Sequence, residues 1–282
     1  MKKIIVLLSL ILLAQASYAQ AVPALLIPSD SRSMAMGGVA LQPAADRLDA
    51  QAFYGMWAPK TANNTVIGGN VFLRVGKKIG VSVEGRTFMD KPYDILSAQG
   101  LATGGSFRPS DLIAGAGVSY DITDGFTVGV KGRMVSSKIA ADAKGSAFCA
   151  DLSATYATQL FSAGIAVRNV GSKISYGAGS YALPALAALQ GSVKPFKGLT
   201  VGAEADYLFA GAVMAALGVE YGIADIVFVR GGFHYGDNAK GIPTYASLGL
   251  GVQFAGVHLD AAYLTASKTL RNSLQISLGY AF

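Results

Sequence analysis

From Asn64 to the last residue the chain alternates apolar with small or polar side chains, in segments of about ten residues separated by turn signals. The final segment shows it most cleanly: Leu274, Ile276, Leu278, Tyr280 and Phe282 alternate with Ser273, Gln275, Ser277, Gly279 and Ala281. The same period of two recurs in Phe126, Val128 and Val130 against Thr127, Lys131 and Arg133, and in Leu199, Val201, Ala203 and Tyr207 against Thr200, Glu204 and Asp206. Successive side chains of a strand point to opposite faces, so each segment has one apolar face and one polar face. Each is also as long as a tilted strand must be to cross a bilayer.

Composition decides what covers the apolar face. The chain is 52% hydrophobic and only 14% charged, where a soluble domain carries about 25% charged residues. A membrane helix needs roughly 18 apolar residues in a row. Beyond the N-terminus the longest run, Tyr207 to Val219, is broken by Gly211 and Gly218 and ended by Glu220. Lipid admits only helices and closed barrels. The expectation is an all-β chain: a transmembrane antiparallel β-barrel. Thirteen strands can be drawn, at 64–75, 77–89, 111–121, 125–138, 145–157, 159–170, 184–196, 198–209, 212–222, 225–236, 244–255, 256–267 and 272–282. Single-chain bacterial barrels have even counts, so about fourteen strands are expected, with twelve as the alternative. Turn signals at Thr123-Asp124-Gly125, Asp142-Ala143-Lys144-Gly145 and Lys197-Gly198 fit hairpin connections. Tyr120, Tyr156, Tyr207, Tyr221, Tyr235, Tyr263 and Tyr280 sit near strand ends, where an interfacial girdle belongs.

Residues 1–19 read as a secretory signal: Lys2 and Lys3, an apolar core from Ile4 to Leu13, and Ser17-Tyr18-Ala19 as the cleavage site. Residues 20–61 show no alternation and contain Pro23, Pro28, Pro43 and Pro59, which predicts a plug, hatch or periplasmic segment; residues 62–282 form the barrel. The expected location is the outer membrane, with outer-membrane lipid and the barrel-insertion machinery as partners. The terminal Phe282 resembles the signal that this machinery reads.

On the polar face the expected lumen charges are Glu84, Asp151, Glu204, Asp206, Glu220 and Asp260 against Arg86, Lys131, Arg133, Arg168, Lys194 and Arg230. A single-sign lining would set ion selectivity; six acids against six bases instead predict salt bridges bracing a narrow or plugged interior. Loss of the leader leaves a formal charge of +4, too little to point to nucleic acid. The lone Cys149 excludes an internal disulfide. His234 and His258 are the only histidines, and no nucleophile stands out beside His258 and Asp260, so no catalytic, cofactor or metal site is assigned and no enzyme is expected. No Gly-rich stretch ends in Lys-Ser or Lys-Thr, as a phosphate loop requires. Strand glycines such as Gly115, Gly249 and Gly251 read as sites of curvature or close backbone approach.

An ordered set of short motifs runs through the mature chain. Arg32 is followed by Met36-Gly37-Gly38; Asp111 heads one strand and Asp151 another; Asn169-Val170-Gly171 ends a strand; Leu183-Pro184 precedes the next; Arg230-Gly231-Gly232 and Leu259-Asp260-Ala261-Ala262-Tyr263 lie near the end. This set resembles the PorV/PorQ family of FadL-like outer-membrane proteins. Ala58-Pro59-Lys60 departs from the family's Asn-Pro-Ala, and the chain is shorter than better-known members. The resemblance implies a fourteen-stranded barrel and a non-enzymatic role in type IX protein secretion or surface attachment. The implied partners are type IX components or the C-terminal domains of cargo. The FadL-like side of the likeness leaves a second reading, a channel for hydrophobic small molecules. Residues 93–111 and 236–245, the longest insertions outside the N-terminus, are the expected partner surface.

Overall fold

A computed structural model describes residues 20–40, 47–177, 179–237 and 239–282. The leader assigned to 1–19 and Pro43 lie outside them. In chain order the strands are β1 (Leu48–Trp57), β2 (Asn64–Val75), β3 (Ile79–Met89), a short hairpin of β4 (Tyr93–Leu96) and β5 (Ala102–Phe107), β6 (Ser110–Thr123), β7 (Phe126–Lys138), β8 (Lys144–Ala157) and β9 (Phe161–Gly171). A second short hairpin follows, β10 (Ile174–Tyr176) and β11 (Gly179–Tyr181). The remaining strands are β12 (Leu186–Val193), β13 (Leu199–Leu208), β14 (Ala212–Ile223), β15 (Val227–Tyr235), β16 (Tyr245–Phe254), β17 (Val257–Thr265) and β18 (Leu274–Ala281). Among the described residues, all but the two short hairpins form one closed antiparallel barrel of fourteen strands, β18 pairing with β1 to shut the sheet.

The thirteen segments drawn from the alternation are thirteen of these strands. The fourteenth, β1, lies inside the stretch read as plug, so the barrel begins at Leu48 rather than at 62. Its alternation is hidden because both faces are apolar towards its end: Tyr54 and Met56 are exposed outside, while Phe53 and Trp57 are buried inside. A second correction concerns Lys194. Strand β12 ends at Val193, and Lys194 is exposed in the following turn, not on the lumen wall. A third is that Lys144 and Gly145, read as turn residues, already belong to β8.

The two ends of the barrel differ. The end carrying Leu48 and the C-terminus has tight turns; at Ala255-Gly256 both φ values are positive (52° and 82°), which matches the twist of a two-residue hairpin. The opposite end carries the longer connections, including both short hairpins. Around the outside, leucine, valine, isoleucine and aromatic side chains stand exposed on alternate residues, as in Val213, Leu217, Val219 and Tyr221 of β14. Tyr120, Tyr156, Tyr221 and Tyr280 mark the turn end; Tyr54, Tyr235 and Tyr263 mark the loop end. A continuous belt of this kind would be an aggregation hazard in water and is what hydrocarbon requires.

Candidate lumen site

Residues 20–40 occupy the lumen. Ala21 donates its N–H to the carbonyl of Ala182 (2.9 Å) near the loop end, and the chain then runs down inside the barrel. A 3-10 turn at Pro23–Leu26 is followed by a one-turn helix, α1 (Ser31–Ala35), whose first turn is capped by Asp30 accepting the Ser33 N–H at 2.6 Å. Val22, Ala24 and Leu25 pack against Ile113, Val135, Ala147, Ile174 and Leu183. Ile27 and Met34 join a second apolar cluster with Phe53, Trp57, Leu186, Leu208, Met214 and Leu264. The loop-end half of the barrel is thus filled with apolar side chains from both plug and wall.

Three strand glycines make room for the plug backbone. A Cβ at Gly218 would lie 2.4 Å from the Met36 carbonyl oxygen, one at Gly232 would lie 2.1 Å from the Gly37 nitrogen, and one at Gly249 would lie 2.3 Å from the Ala35 Cβ. These inward positions on β14, β15 and β16 form a bare patch on which α1 rests. Ser247 fastens it, accepting the Gly37 N–H at 3.0 Å and donating to the Ala35 carbonyl at 2.8 Å. The sequence pointed to close backbone approach at glycines but not to this patch or to Ser247. The available signal was three inward glycines on consecutive strands.

Below the plug the lining is charged. Arg32 reaches Glu220 with two hydrogen bonds, Nε to Oε2 at 2.8 Å and Nη2 to Oε1 at 2.6 Å. Glu220 also accepts from Arg230 Nε (2.6 Å), and Arg230 Nη1 donates to Asp260 (2.6 Å). His258 Nδ1 lies 3.1 Å from Asp260 and its Nε2 3.7 Å from Asp49. Glu220 and Arg230 are direct cross-strand partners, as opposite charges on one face should be. On the other side Glu84 takes Lys131 Nζ (2.7 Å) and Arg133 Nε, and Arg133 also binds Asp151 (2.7 Å). Arg168 holds Glu204 (2.7 Å) and Gln190 (2.8 Å), while Glu204 also accepts the Ala40 N–H at 2.7 Å. Arg86 donates to the Ile27 carbonyl at 2.6 Å, and Asp206 lines the same cavity.

Eleven of the twelve expected lumen charges therefore face the interior, and Arg32 of the plug supplies the cation that Lys194 does not. Glycine again provides the space. Gly115 sits opposite both Glu84 and Arg133, and Gly251 sits opposite Asp260, so the ion pairs close over positions without side chains. Between plug and wall lies a cavity of about 620 Å³ that extends to the turn end.

Three of the scattered sequence motifs, Asp151, Asn169-Val170-Gly171 and Leu183-Pro184, meet at one place. At Asp151 the β8–β9 register slips, and Asn169 occupies a left-handed conformation (φ 59°) in the bulge. The Asn169 N–H donates to Asp151 (2.8 Å), its side-chain NH2 donates to the Pro184 carbonyl (3.1 Å), and its Oδ1 accepts from Arg133 (3.0 Å). Gly171 follows where a Cβ would lie 2.0 Å from the Phe148 carbonyl oxygen. Beyond the Arg168–Leu186 pair, β9 has no strand partner on its β12 side among the described residues, and Asn169 bridges that seam. Asp111 faces inward at the loop end of β6. Tyr263 points outward with its hydroxyl on Asn272 (2.6 Å), and Phe282 exchanges backbone hydrogen bonds with Leu48 (2.7 and 2.8 Å), zipping the end of the chain to β1.

His258 and Asp260 are engaged with Asp49 and Arg230, and among the described residues no serine hydroxyl bonds to His258 Nε2. Among the described residues no group of three or more His, Cys, Asp or Glu could hold a metal ion.

No family model matches this sequence, and no curated protein does. Solved structures do match in fold. The CymD monoaromatic hydrocarbon channel superposes with a TM-score of 0.64 at 12% identity, over 91% of this chain and 98% of that one. The toluene transporter TbuX of Ralstonia pickettii gives 0.63 at 13% identity over 91% and 99%, and a FadL homologue from Pseudomonas aeruginosa gives 0.56 at 13% over 95% and 98%. The barrel fold is FadL-like.

Proposed function

We propose that this chain is an outer-membrane channel for hydrophobic small molecules, gated by its own N-terminal segment. The observation that carries the reading is the division of the lumen. The loop-end half is apolar, with plug residues Val22, Leu25, Ile27 and Met34 packed against wall side chains, while the charged lining below the plug borders a cavity that reaches from those plug residues to the turn end. An apolar solute arriving from outside meets groups that water excludes from it, and it competes for them with side chains of the plug. The charged half offers that solute no comparable attraction, so it favours release once the plug has moved. The FadL-like fold supports this reading, because several proteins of that fold carry monoaromatic hydrocarbons. Uptake of radiolabelled toluene by cells carrying or lacking the gene tests it: loss of the gene slows entry, and plasmid expression restores it. Equal uptake in both strains refutes it.

The second reading is the secretion role implied by the PorV/PorQ-like motifs. One observation favours it: the β4–β5 hairpin stands off the loop end with Leu96 and Leu101 exposed, as a protein-docking surface would. Normal toluene entry together with loss of type IX cargo from the cell surface would select this role.

A further inference from the structure

The outer face of β7 and β8 changes character at the loop end. Met134 and Phe148, directly paired across the two strands, are exposed apolar residues of the belt. One row higher, Ser136 pairs with Ser146, and above them Lys138 pairs with Lys144. On the far side of Lys138 the partner in β6 is Ser110. All five polar residues alternate with inward Val135, Ser137, Ala147 and Gly145, so they lie on the outward face.

Two like charges directly opposite one another destabilise a strand pair, and among the described residues neither lysine has an ion pair. Asp142, in the connecting loop, is exposed and pairs with neither among the described residues. The height of the pair is also informative. Lys144 and Tyr156 stand at opposite ends of β8, about 30 Å apart along the barrel axis for a strand of ordinary rise and tilt. With Tyr156 in one interfacial girdle, the lysines reach the headgroup layer of the other leaflet. A chain exported to the outer membrane with its longer loops outward presents that rim to the outer leaflet.

We propose that the Lys138–Lys144 pair, with the hydroxyls of Ser110, Ser136 and Ser146 around it, binds the phosphate of an anionic lipid headgroup in the outer leaflet. A phosphate between the two ammonium groups removes their repulsion, accepts from the serine hydroxyls, and lets the acyl chains lie along Met134 and Phe148. A lysine near an anionic membrane surface contributes about fivefold in affinity, so the pair supplies roughly 25-fold.

The test uses the full mature protein in nanodiscs of phosphatidylcholine, with and without a bisphosphorylated disaccharide glycolipid. Bound lipid is read by native mass spectrometry, and the melting temperature is read in parallel. Wild-type protein should retain the glycolipid and melt higher in its presence; K138Q/K144Q should bind roughly 25-fold more weakly and lose the lipid-dependent rise. Without glycolipid the double variant should melt at least as high as wild type, because it has lost a repulsion, and this shows that it folds. K240Q/K268Q, at other points of the same rim, should bind as wild type does. Equal retention by wild type and K138Q/K144Q overturns the proposal, as does displacement of the glycolipid by inorganic phosphate at millimolar concentration, which would mark a free-anion site.

Discussion

Replacing Arg32 by glutamine tests what holds the plug. Arg32 gives Glu220 two charge-assisted hydrogen bonds, and each such bond contributes about 1.5–3 kcal/mol. Two features reduce the loss. Glu220 keeps its bond to Arg230 at 2.6 Å, so no carboxylate is stranded, and the Arg32 side chain is 27% exposed to the cavity. A loss of about 2 kcal/mol follows, which raises the population of the displaced plug about thirtyfold. Hydrogen exchange reads this directly in detergent micelles. The Gly37 and Ala40 amides, bonded to Ser247 and Glu204, should exchange about thirtyfold faster in R32Q. Amides in the middle of β7 and β8 should be unchanged, since their partners are other strands. E220Q should do more, because it leaves the Arg32 and Arg230 guanidinium groups facing each other; breaking a buried pair in this way costs about 3–5 kcal/mol and should also lower barrel stability. Unaltered exchange at Gly37 and Ala40 in R32Q would refute the tether and leave apolar packing alone to seat the segment.

Gly232→Ala places a methyl 2.1 Å from the Gly37 nitrogen, so the plug must lift; trypsin should then cut after Arg32 while the barrel stays resistant. Asn169→Ala removes the bond to Pro184 and the acceptor for Arg133 and puts at φ 59° a residue that tolerates the left-handed region less well than asparagine; a loss of about 2–4 kcal/mol should appear in guanidinium unfolding from micelles. Glu84→Gln leaves Lys131 without its carboxylate and Arg133 with Asp151 and Asn169, and the same unfolding measurement should show a loss of about 2–4 kcal/mol. Phe282→Asp sets a charge where an exposed aromatic closes the barrel, and heat-modifiability on gels should show slower folding into the membrane.

The sequence by itself determined the barrel, its thirteen visible strands and the inward direction of eleven of the twelve charges assigned to the lumen, because a strand's two-residue period writes both faces into the order of residues. Glu220, Arg230 and Asp260 could each be placed in the lumen from their own neighbours alone. What only the tertiary structure decided depends on contacts between residues far apart in the chain. Strand β1 escaped because its inner face is covered by the plug, which erased the apolar–polar contrast at Phe53 and Trp57. Lys194 was misplaced because its neighbours keep strand character although the pairing stops at Val193. The bare patch at Gly218, Gly232 and Gly249, the Arg32–Glu220 tether and the meeting of Asp151, Asn169 and Pro184 all join distant segments through one closed sheet. A local pattern fixes which way a side chain points; only closure of the barrel fixes what it meets there.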